Sequence, residues 1–225
     1  MDISVMNNAT ILRHVDHTLL KATATWEEIE QLCNEAIEFQ TASVCIPPCY
    51  IKRIRKAFPD LNICTVIGFP LGYNTTYAKT IEAQNALEDG ANELDMVVNL
   101  TDVKNSAFKA VRAEIAALKT IAGSNVLKVI IETCYLTEAE KVAMCHAVTN
   151  AEADYIKTST GFGTAGATIE DIKLFKLHIG DKVKIKAAGG IRTREDMVGY
   201  INAGCDRLGT SSAIKILNNG STSGY

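Results

Sequence analysis

Short β-branched apolar runs alternate with longer amphipathic runs along the whole chain, and this alternation restricts the possible folds more than any other feature. Eight runs are predicted as strands, at residues 15–18, 43–46, 62–67, 93–97, 127–131, 155–158, 183–187 and 207–209. A stretch with the apolar spacing of a helix follows each of them, including one predicted over residues 106–121. Thr25 and Thr137 each precede a glutamate by three residues, as in a capping box, and Thr193 is predicted to cap a later helix. Strict alternation of strand and helix predicts a parallel sheet that is buried on both faces.

The eight units divide the 225 residues into repeats of about 28 residues, which leaves little room for a second domain. We therefore expect an α/β fold with one domain over residues 1–225, closed into a (β/α)8 barrel, the TIM barrel architecture. A short N-terminal extension precedes the first strand. The tail at residues 218–225 is polar and glycine-rich and is predicted to be flexible.

Composition excludes several classes of protein. Hydrophobic residues make up 47% and charged residues 22%, as in ordinary globular proteins, and a net charge of −3 argues against a nucleic-acid or membrane-surface partner. We identify no apolar run near the ~20 residues of a membrane span and no signal peptide, so a cytoplasmic protein is expected. The seven cysteines form no Cys-x-x-Cys pair, and His14 and His17 lack further ligands at metal spacing. We expect reduced thiols and no metal ion.

Four predicted strands carry an ionisable residue between apolar neighbours, which is unusual because buried charges are costly unless they are paired or used. The four residues are Asp95, Lys128, Lys157 and Lys186. Each is predicted at or near the carboxyl end of its strand, and in a barrel these ends meet at the face where active sites are built. We therefore expect three lysines and a carboxylate in one pocket. Asp16 of the first strand either joins them or pairs locally.

This set of residues suits chemistry through a lysine Schiff base. A free lysine is protonated at neutral pH, but a second ammonium nearby and the loss of solvent favour the neutral amine, which can attack a carbonyl carbon. The imine then stabilises a carbanion at the adjacent carbon, and Asp95 could hold or relay the proton. Each residue also has a structural interpretation: Lys128 in an ion pair with Glu132 or Asp95, Lys157 and Lys186 as paired lysines, and Asp95 as a satisfied carboxylate.

Three small-residue turns follow the late strands and suggest a place for a phosphate. Their sequences are TSTGFG (158–163), AAGGIR (187–192) and LGTSS (208–212). Glycines let backbone N–H groups approach a ligand, and Ser211 and Ser212 stand where the last helix begins. Barrel enzymes often bind phosphate after strands 7 and 8. Arg192 either adds positive charge there or is a solvated surface residue. The expected ligand has a carbonyl group at one end and a phosphate at the other.

Seven segments of the chain closely resemble the deoxyribose-phosphate aldolase family. They are DHTLLK (16–21), VCIPP (44–48), VIGFP (66–70), ELDMV (93–97), KVIIE (128–132), KTSTGF (157–162) and KAAGGIR (186–192). The resemblance runs from about residue 8 to 218, and its last two motifs are highly specific. It implies a lyase, a class I aldolase on a TIM barrel. Such an enzyme reversibly cleaves 2-deoxy-D-ribose 5-phosphate to D-glyceraldehyde 3-phosphate and acetaldehyde, in deoxyribonucleoside catabolism, without a metal or other cofactor.

The resemblance also implies roles for individual residues. Lys157 matches the Schiff-base lysine, Lys186 matches a second lysine that favours the neutral form of the first, and Asp95 matches the aspartate of a proton relay. The residues that match polar groups lining the substrate pocket are Asp16, Cys45 and Lys128. The residues that match the phosphate site are Gly161, Gly189, Gly190, Arg192, Gly209, Ser211 and Ser212.

Two positions vary within the family. Some members have a lysine where this chain has Phe162, so phosphate binding is expected to rest more on backbone amides. The terminal Tyr225 resembles a tyrosine that some members fold over the site, with a disordered end as the alternative. Members are commonly dimers, which makes a homodimer the expected assembly.

Two other functions are compatible with a barrel of this kind. An isomerase that uses acid–base chemistry would need a carboxylate base and no covalent lysine. A sensor of sugar phosphates would bind its ligand and tolerate the loss of Lys157. Neither alternative explains why Lys157 and Lys186 should be buried together, and this pair favours the aldolase.

Overall fold

The computed structural model describes residues 6–219, and its strands close into one barrel. The strands are β1 (Val15–Thr18), β2 (Ser43–Ile46), β3 (Ile63–Ile67), β4 (Glu93–Val97), β5 (Val126–Ile130), β6 (Tyr155–Lys157), β7 (Lys184–Ala188) and β8 (Arg207–Thr210). Every neighbouring pair is parallel, including the closing pair of β1 and β8. The predicted (β/α)8 barrel is confirmed.

The helices connect successive strands around this barrel. They are α1 (Asn8–Leu12), α2 (Trp26–Glu38), α3 (Ile51–Ala57), α4 (Thr76–Glu88), α5 (Leu100–Lys104), α6 (Phe108–Ala122), α7 (Glu138–Asn150), α8 (Ile169–His178), α9 (Arg194–Ala203) and α10 (Ala213–Asn219). Helix α1 forms the expected N-terminal extension, and the side chain of Asn8 donates to the Leu217 carbonyl of α10. The predicted tail begins too early, because residues 218 and 219 belong to α10. Residues 220–225, and with them Tyr225, lie outside the described residues.

Local side-chain signals account for where the helices begin. Thr25 and Glu28 form the predicted capping box of α2, and Thr137 and Glu140 form that of α7. Thr193 caps α9 as predicted, with Asp196 as its reciprocal partner. Each box satisfies backbone N–H groups that have no partner inside the helix.

The helix predicted over residues 106–121 begins two residues later in the structure, and a short helix that was not predicted precedes it. The chain forms two helices here, α5 and α6, and Ser106 between them has a φ of 56°. This left-handed conformation breaks the helical hydrogen-bond ladder. Asn99 caps α5, with its side chain accepting the Thr101 N–H.

The apolar core lies between the outer faces of the strands and the helices packed on them. Apolar side chains from both layers are fully buried, such as Ile63 and Leu94 on strands and Ile115 and Phe175 on helices. Burial of such side chains provides most of the driving force for closing the barrel. Within residues 6–219, none of the helices combines the length and the apolar character that a membrane crossing requires.

Candidate active site

The inside of the barrel is charged rather than apolar. Strand residues alternate between the two faces of a sheet, and here the inward-facing positions include acidic and basic side chains in direct contact. We define the interior network as the residues Asp16, Glu93, Asp95, Lys128, Lys157, Lys186 and Arg207. Of these side chains, Arg207 is the most exposed, at 17%.

Asp95 is at the centre of this network because it contacts three lysines. Its Oδ2 is 2.7 Å from the Nζ of Lys157 and 2.7 Å from the Nζ of Lys186. Its Oδ1 is 2.9 Å from the Nζ of Lys128. Asp16 provides a second link, with its Oδ2 at 2.5 Å from Lys186 and its Oδ1 at 2.5 Å from Arg207. The predicted convergence of Asp95 with three lysines is present in the structure, and Asp16 joins it.

The network extends deeper into the barrel than the sequence indicated. Asp95, Lys128 and Lys186 are each the central residue of a five-residue strand, and only Lys157 is the last residue of its strand. The expectation that all four lie at or near strand ends is therefore wrong for three of them. The predicted ranges of β5 and β7 are one residue off, and strand ends are poorly specified by apolar runs.

Electrostatic interactions keep the buried groups charged. Burial would raise the pKa of the Asp95 carboxyl, but the charges of Lys128, Lys157 and Lys186 hold this pKa well below its usual range. Burial likewise opposes the ionisation of Asp16, and Lys186, Lys128 and Arg207 lower its pKa nevertheless. The pKa of Lys186 is raised, because Asp16 and Asp95 outweigh the effect of burial. Asp95 therefore remains a carboxylate and Lys186 an ammonium.

The charges of the interior network do not cancel. Its four basic side chains face three carboxylates, so the network has one excess positive charge when every group has its usual ionised form. Loss of a single proton from one lysine would make the network neutral. Lys157 has the fewest carboxylate contacts of the three lysines: the structure gives it one, whereas Lys128 has three and Lys186 has two.

Sequence reasoning missed two members of the network. Glu93 lies 2.5 Å from Lys128, and Arg207 bridges Glu93 and Asp16. A signal for Glu93 was available, because it is two residues before Asp95 and therefore on the same face of β4. Arg207 gave no such signal, because it is the first residue of its strand. The suggested pair of Lys128 with Glu132 is wrong: Lys128 contacts Glu93 and Asp95, and Glu132 binds Thr160 instead.

Within the described range of the chain, residues 6–219, two groups of side chains have oxygen and sulfur atoms close enough to hold a metal ion. They are Cys45, Cys64 and Asp95, and Asp16, Cys64 and Glu93. Lys128 already supplies a positive charge to both groups. Its Nζ is 3.2 Å from the Cys64 Sγ and also contacts Asp95 and Glu93. The donor set is thus matched to an ammonium group.

A cavity of about 720 Å³ opens above the network at the carboxyl ends of the strands. Lys157 reaches it from the last position of β6, where its side chain is 3% exposed. All seven residues predicted for the phosphate site line this cavity: Gly161, Gly189, Gly190, Arg192, Gly209, Ser211 and Ser212. The Schiff-base lysine and the phosphate site predicted from the sequence therefore share one cavity.

The residues predicted to line the substrate pocket have a different placement. Asp16, Cys45 and Lys128 have no exposed surface, and they lie outside the set of residues that lines the cavity. Asp95 and Lys186 are equally buried. Each is held inside the barrel by its strand and by ion pairs or packing. In this structure these side chains support Lys157 from below, and a direct contact of Asp16, Cys45 or Lys128 with substrate stays a prediction.

The turns around the cavity depend on glycine for their close packing. Gly189 and Gly190 have φ values of 78° and 75°, which a side chain rarely tolerates. Gly166 lies so near that a Cβ on it would be 2.2 Å from the Gly189 carbonyl oxygen. The turns after β6 and β7 therefore pack against each other, and the Ala167 N–H donates to the Ala188 carbonyl at 3.1 Å.

One wall of the cavity comes from the first βα unit and was not assigned to the site from the sequence. It includes His17, Leu20, Gln31 and Glu35. The Nε2 of His17 is 2.8 Å from the Glu35 carboxylate. Burial lowers the pKa of His17, and Glu35 opposes this effect. His17 is the neighbour of Asp16 on β1, so one strand contributes to both the network and the cavity wall.

The fold and the site together define a barrel with a lysine at the floor of its cavity and a charged interior beneath it. The family model for DeoC/LacD family aldolases matches residues 10–220, and the chain belongs to this family. It is 65% identical over 221 residues to a deoxyribose-phosphate aldolase of Clostridium botulinum strain Alaska E43, covering 98% of this chain and 100% of that protein.

Two solved structures are similar along almost the entire chain. The aldolase QR15 has a TM-score of 0.88 and 40% identity, and the match covers 92% of this chain and 94% of that one. The tetrameric deoxyribose phosphate aldolase of Aeropyrum pernix has a TM-score of 0.86 and 32% identity, covering 94% of this chain and 91% of that one. The resemblance seen in the sequence motifs is confirmed.

Proposed function

We propose that this protein is a class I aldolase that reversibly cleaves 2-deoxy-D-ribose 5-phosphate to D-glyceraldehyde 3-phosphate and acetaldehyde. The observation that carries the proposal is the position of Lys157, which lies at the floor of a cavity and contacts Asp95, itself in contact with Lys186. The names of similar proteins supply the substrate. We further propose that the chain is one catalytic domain and that it acts in deoxyribonucleoside catabolism.

The reaction would begin with an attack of the neutral Lys157 amine on the C1 aldehyde of the open-chain sugar. Loss of water gives a protonated imine. The C3 hydroxyl then gives its proton to a water molecule in the cavity, and the C2–C3 bond breaks. Its electron pair flows to the imine to form an enamine, and glyceraldehyde 3-phosphate leaves. Protonation of the enamine at C2 and hydrolysis free acetaldehyde and restore the Lys157 amine.

Proton transfer is assigned to the groups beneath Lys157. The pKa directions make Asp95 a carboxylate and Lys186 an ammonium, so Lys186 can donate a proton while Asp95 orients both lysines. Their 2.7 Å contacts to a shared carboxylate oxygen keep the two nitrogens close to each other. Asp95 and Lys186 would act through Lys157 or through water, because neither lines the cavity.

The phosphate is assigned to the glycine-rich side of the cavity. Backbone amides of the turns after β6, β7 and β8 surround this region, and Arg192 lies at its rim. Phe162 occupies the position where some family members have lysine, and its ring packs edge-on against Phe69, with 5.2 Å between the ring centroids. Arg192 and the amides would therefore provide the binding energy for the phosphate.

Trapping the imine tests this proposal. The protein is incubated with acetaldehyde or with deoxyribose 5-phosphate, reduced with borohydride, and digested for peptide mass spectrometry. We expect the adduct on Lys157, together with release of glyceraldehyde 3-phosphate before reduction. The matched control is Lys157→Met, which keeps a side chain of similar length and should carry no adduct.

Other outcomes would change the proposal in defined ways. An adduct on Lys128 or Lys186 would retain the aldolase and overturn the assignment of the nucleophile. Folded protein that binds the sugar phosphate and yields no lysine adduct would favour an isomerase if the sugar is interconverted, or a sensor if it is returned unchanged.

We also propose that the protein is a homodimer and acts in the cytoplasm. Exposed apolar side chains on α4 and the preceding loop, including Leu71, Tyr73 and Tyr77, support self-association. Cysteines without disulfide bonds support a reducing compartment. Light scattering coupled to size-exclusion chromatography measures the assembly, and a monomeric mass would refute the dimer.

A further inference from the structure

A buried carboxylate that the proposed mechanism leaves unused lies beside the cavity. Glu132 follows β5 and is 2% exposed. Its φ is 51°, in the left-handed region where glycine is favoured over residues with a side chain. A glutamate in this conformation, directed into the protein, implies that its side-chain contacts offset the backbone strain.

The contacts of Glu132 are with the turn that carries the lysine of the site. We define the cavity loop as residues 158–163, which follow Lys157. The two carboxylate oxygens of Glu132 accept the Thr160 N–H at 3.2 and 3.3 Å. The hydroxyl of Thr160 donates a short hydrogen bond to the same carboxylate. Glu132 thus binds both polar donors of one cavity-lining residue.

The hydrogen bonds continue along the loop. The Oγ1 of Thr160 accepts the Phe162 N–H at 3.0 Å, so Gly161 is held between two anchored residues. Gly161 lines the cavity with a φ of 86°. The loop also packs tightly against Glu132, since a Cβ on Gly163 would lie 3.1 Å from its Oε1. A change at Glu132 would therefore alter the shape of the cavity loop.

We propose that Glu132 is a positioning residue that holds the cavity loop in the form that binds the phosphorylated end of the substrate. This inference rests on the proposed function, because that function assigns the phosphate to the turns around Gly161. Glu132 acts through Thr160, without touching the reacting atoms. It is therefore a determinant of affinity for phosphorylated over unphosphorylated sugars rather than of the rate of imine chemistry.

Steady-state kinetics with two sugars separate these roles. We expect Glu132→Gln to raise KM for deoxyribose 5-phosphate about tenfold, with kcat within about twofold, because a charged hydrogen-bond acceptor is lost from a loop that binds the substrate. With unphosphorylated 2-deoxyribose, kcat/KM should stay within about twofold of wild type. A uniform loss on both sugars would overturn the proposal.

A double-mutant cycle identifies the path from Glu132 to the loop. Thr160→Val removes the bonded hydroxyl, and Thr160→Ser retains it. If Glu132 acts through Thr160, the double variant of Glu132→Gln and Thr160→Val has a KM no higher than the worse single variant, and Thr160→Ser is close to wild type. Fully additive effects would show that Glu132 acts by another route and would refute the inference.

A matched control tests whether the loss of any carboxylate that accepts a backbone N–H is sufficient. Asp154 accepts the Leu127 N–H at 2.8 Å and contacts Lys119 near the amino end of β5, away from the cavity. Asp154→Asn should leave the KM ratio of the two sugars unchanged. A shift as large as that of Glu132→Gln would assign a general structural role to Glu132.

A failure of the proposed function can be distinguished from a failure of the inference on Glu132. A wild-type protein that cleaves neither sugar would refute the aldolase reaction and leave the loop to be judged by binding. Calorimetric titration with inorganic phosphate then decides: weaker binding by Glu132→Gln than by wild type supports the positioning role, and equal binding overturns it.

Discussion

Lys157 differs from the other lysines inside the barrel in both its partners and its access. It contacts one carboxylate and lines the cavity, whereas Lys128 contacts three carboxylates and is fully buried. The charge of Lys128 is therefore needed to compensate buried anions. Lys157 has the fewest carboxylate partners of the three lysines, so the carboxylates of the interior network depend least on its charge.

This difference predicts opposite effects of two similar substitutions. Lys157→Met should abolish cleavage and leave the free energy of unfolding unchanged or slightly higher, because the network becomes neutral. Lys128→Met should lower the free energy of unfolding by about 3 kcal/mol, since it leaves buried carboxylates without their partner. Urea unfolding of both variants, followed by circular dichroism, measures the two values. Equal destabilisation by the two substitutions would contradict the charge balance inferred for the network.

The sequence revealed most of the chemical groups at this scale but few of their contacts. Lys157, Lys186 and Asp95 were identifiable because charges inside apolar runs are rare. Their pairing depends on how eight strands are staggered, which no single run specifies. Glu132 entered the sequence analysis as a motif residue and as a possible partner of Lys128. Its contact with Thr160 was not predicted, because its left-handed backbone conformation follows from tertiary contacts rather than from its residue type.

At the scale of elements, the turns after β6 and β7 function as one unit. Gly166 is in contact with Gly189, and the Ala167 N–H donates to the backbone of the neighbouring turn. The cavity loop and the turn at residues 188–190 therefore cannot move independently.

Gly166→Ala should disturb both turns together. The added Cβ would be 2.2 Å from the Gly189 carbonyl oxygen, so the backbone must shift. We expect about a tenfold rise in KM for deoxyribose 5-phosphate and a loss of roughly 1–3 kcal/mol in stability, as for other overpacked sites. Kinetics and thermal unfolding measure the two effects.

The matched control is Gly199→Ala in α9, where the nearest atom to an added Cβ is 3.9 Å away and alanine should stabilise the helix by about 0.5–1 kcal/mol. Similar behaviour of both variants would exclude a steric cause.

An element could be predicted where its signal is local in the sequence, and not where it depends on contacts between distant residues. Capping boxes at Thr25 and Thr137 are local, so the helix starts were correct from the sequence. The start of α6 was predicted two residues early, at Ser106, because a serine with positive φ carries no local signature. The strands were located by their apolar runs, with errors of one residue at the ends of β3, β5, β6, β7 and β8.

At the scale of the whole molecule, the interior network joins strands from around the barrel. Asp16 and Arg207 connect β1 and β8, and Asp95 connects β4 to β5, β6 and β7. Protonation of its carboxylates would therefore weaken the closed barrel rather than a single element.

The stability of the protein should consequently depend on pH in a defined direction. Asp16 and Asp95 have folded pKa values below their unfolded values of about 4, so their contribution is present above pH ~4 and is lost as pH falls through the folded values. The raised pKa values of Lys128 and Lys186 affect stability at alkaline pH instead. The contribution of these two lysines to stability is complete below pH ~10 and is lost only as pH rises through their folded pKa values.

Urea unfolding between pH 7 and pH 3 should give a falling free energy of unfolding below about pH 4. A constant free energy down to pH 3 would contradict the ionised state assigned to these carboxylates.

The charged interior is separate from the turns above it, and this affects how the substrate range of such a protein can change. Residues of the interior network are fixed by strands, whereas most residues on the glycine-rich side of the cavity lie on turns. Replacement of a turn can therefore change which aldehyde is accepted without redesign of the catalytic groups. An engineer seeking new carbon–carbon bond formation would vary the rim and leave the ionic interior intact.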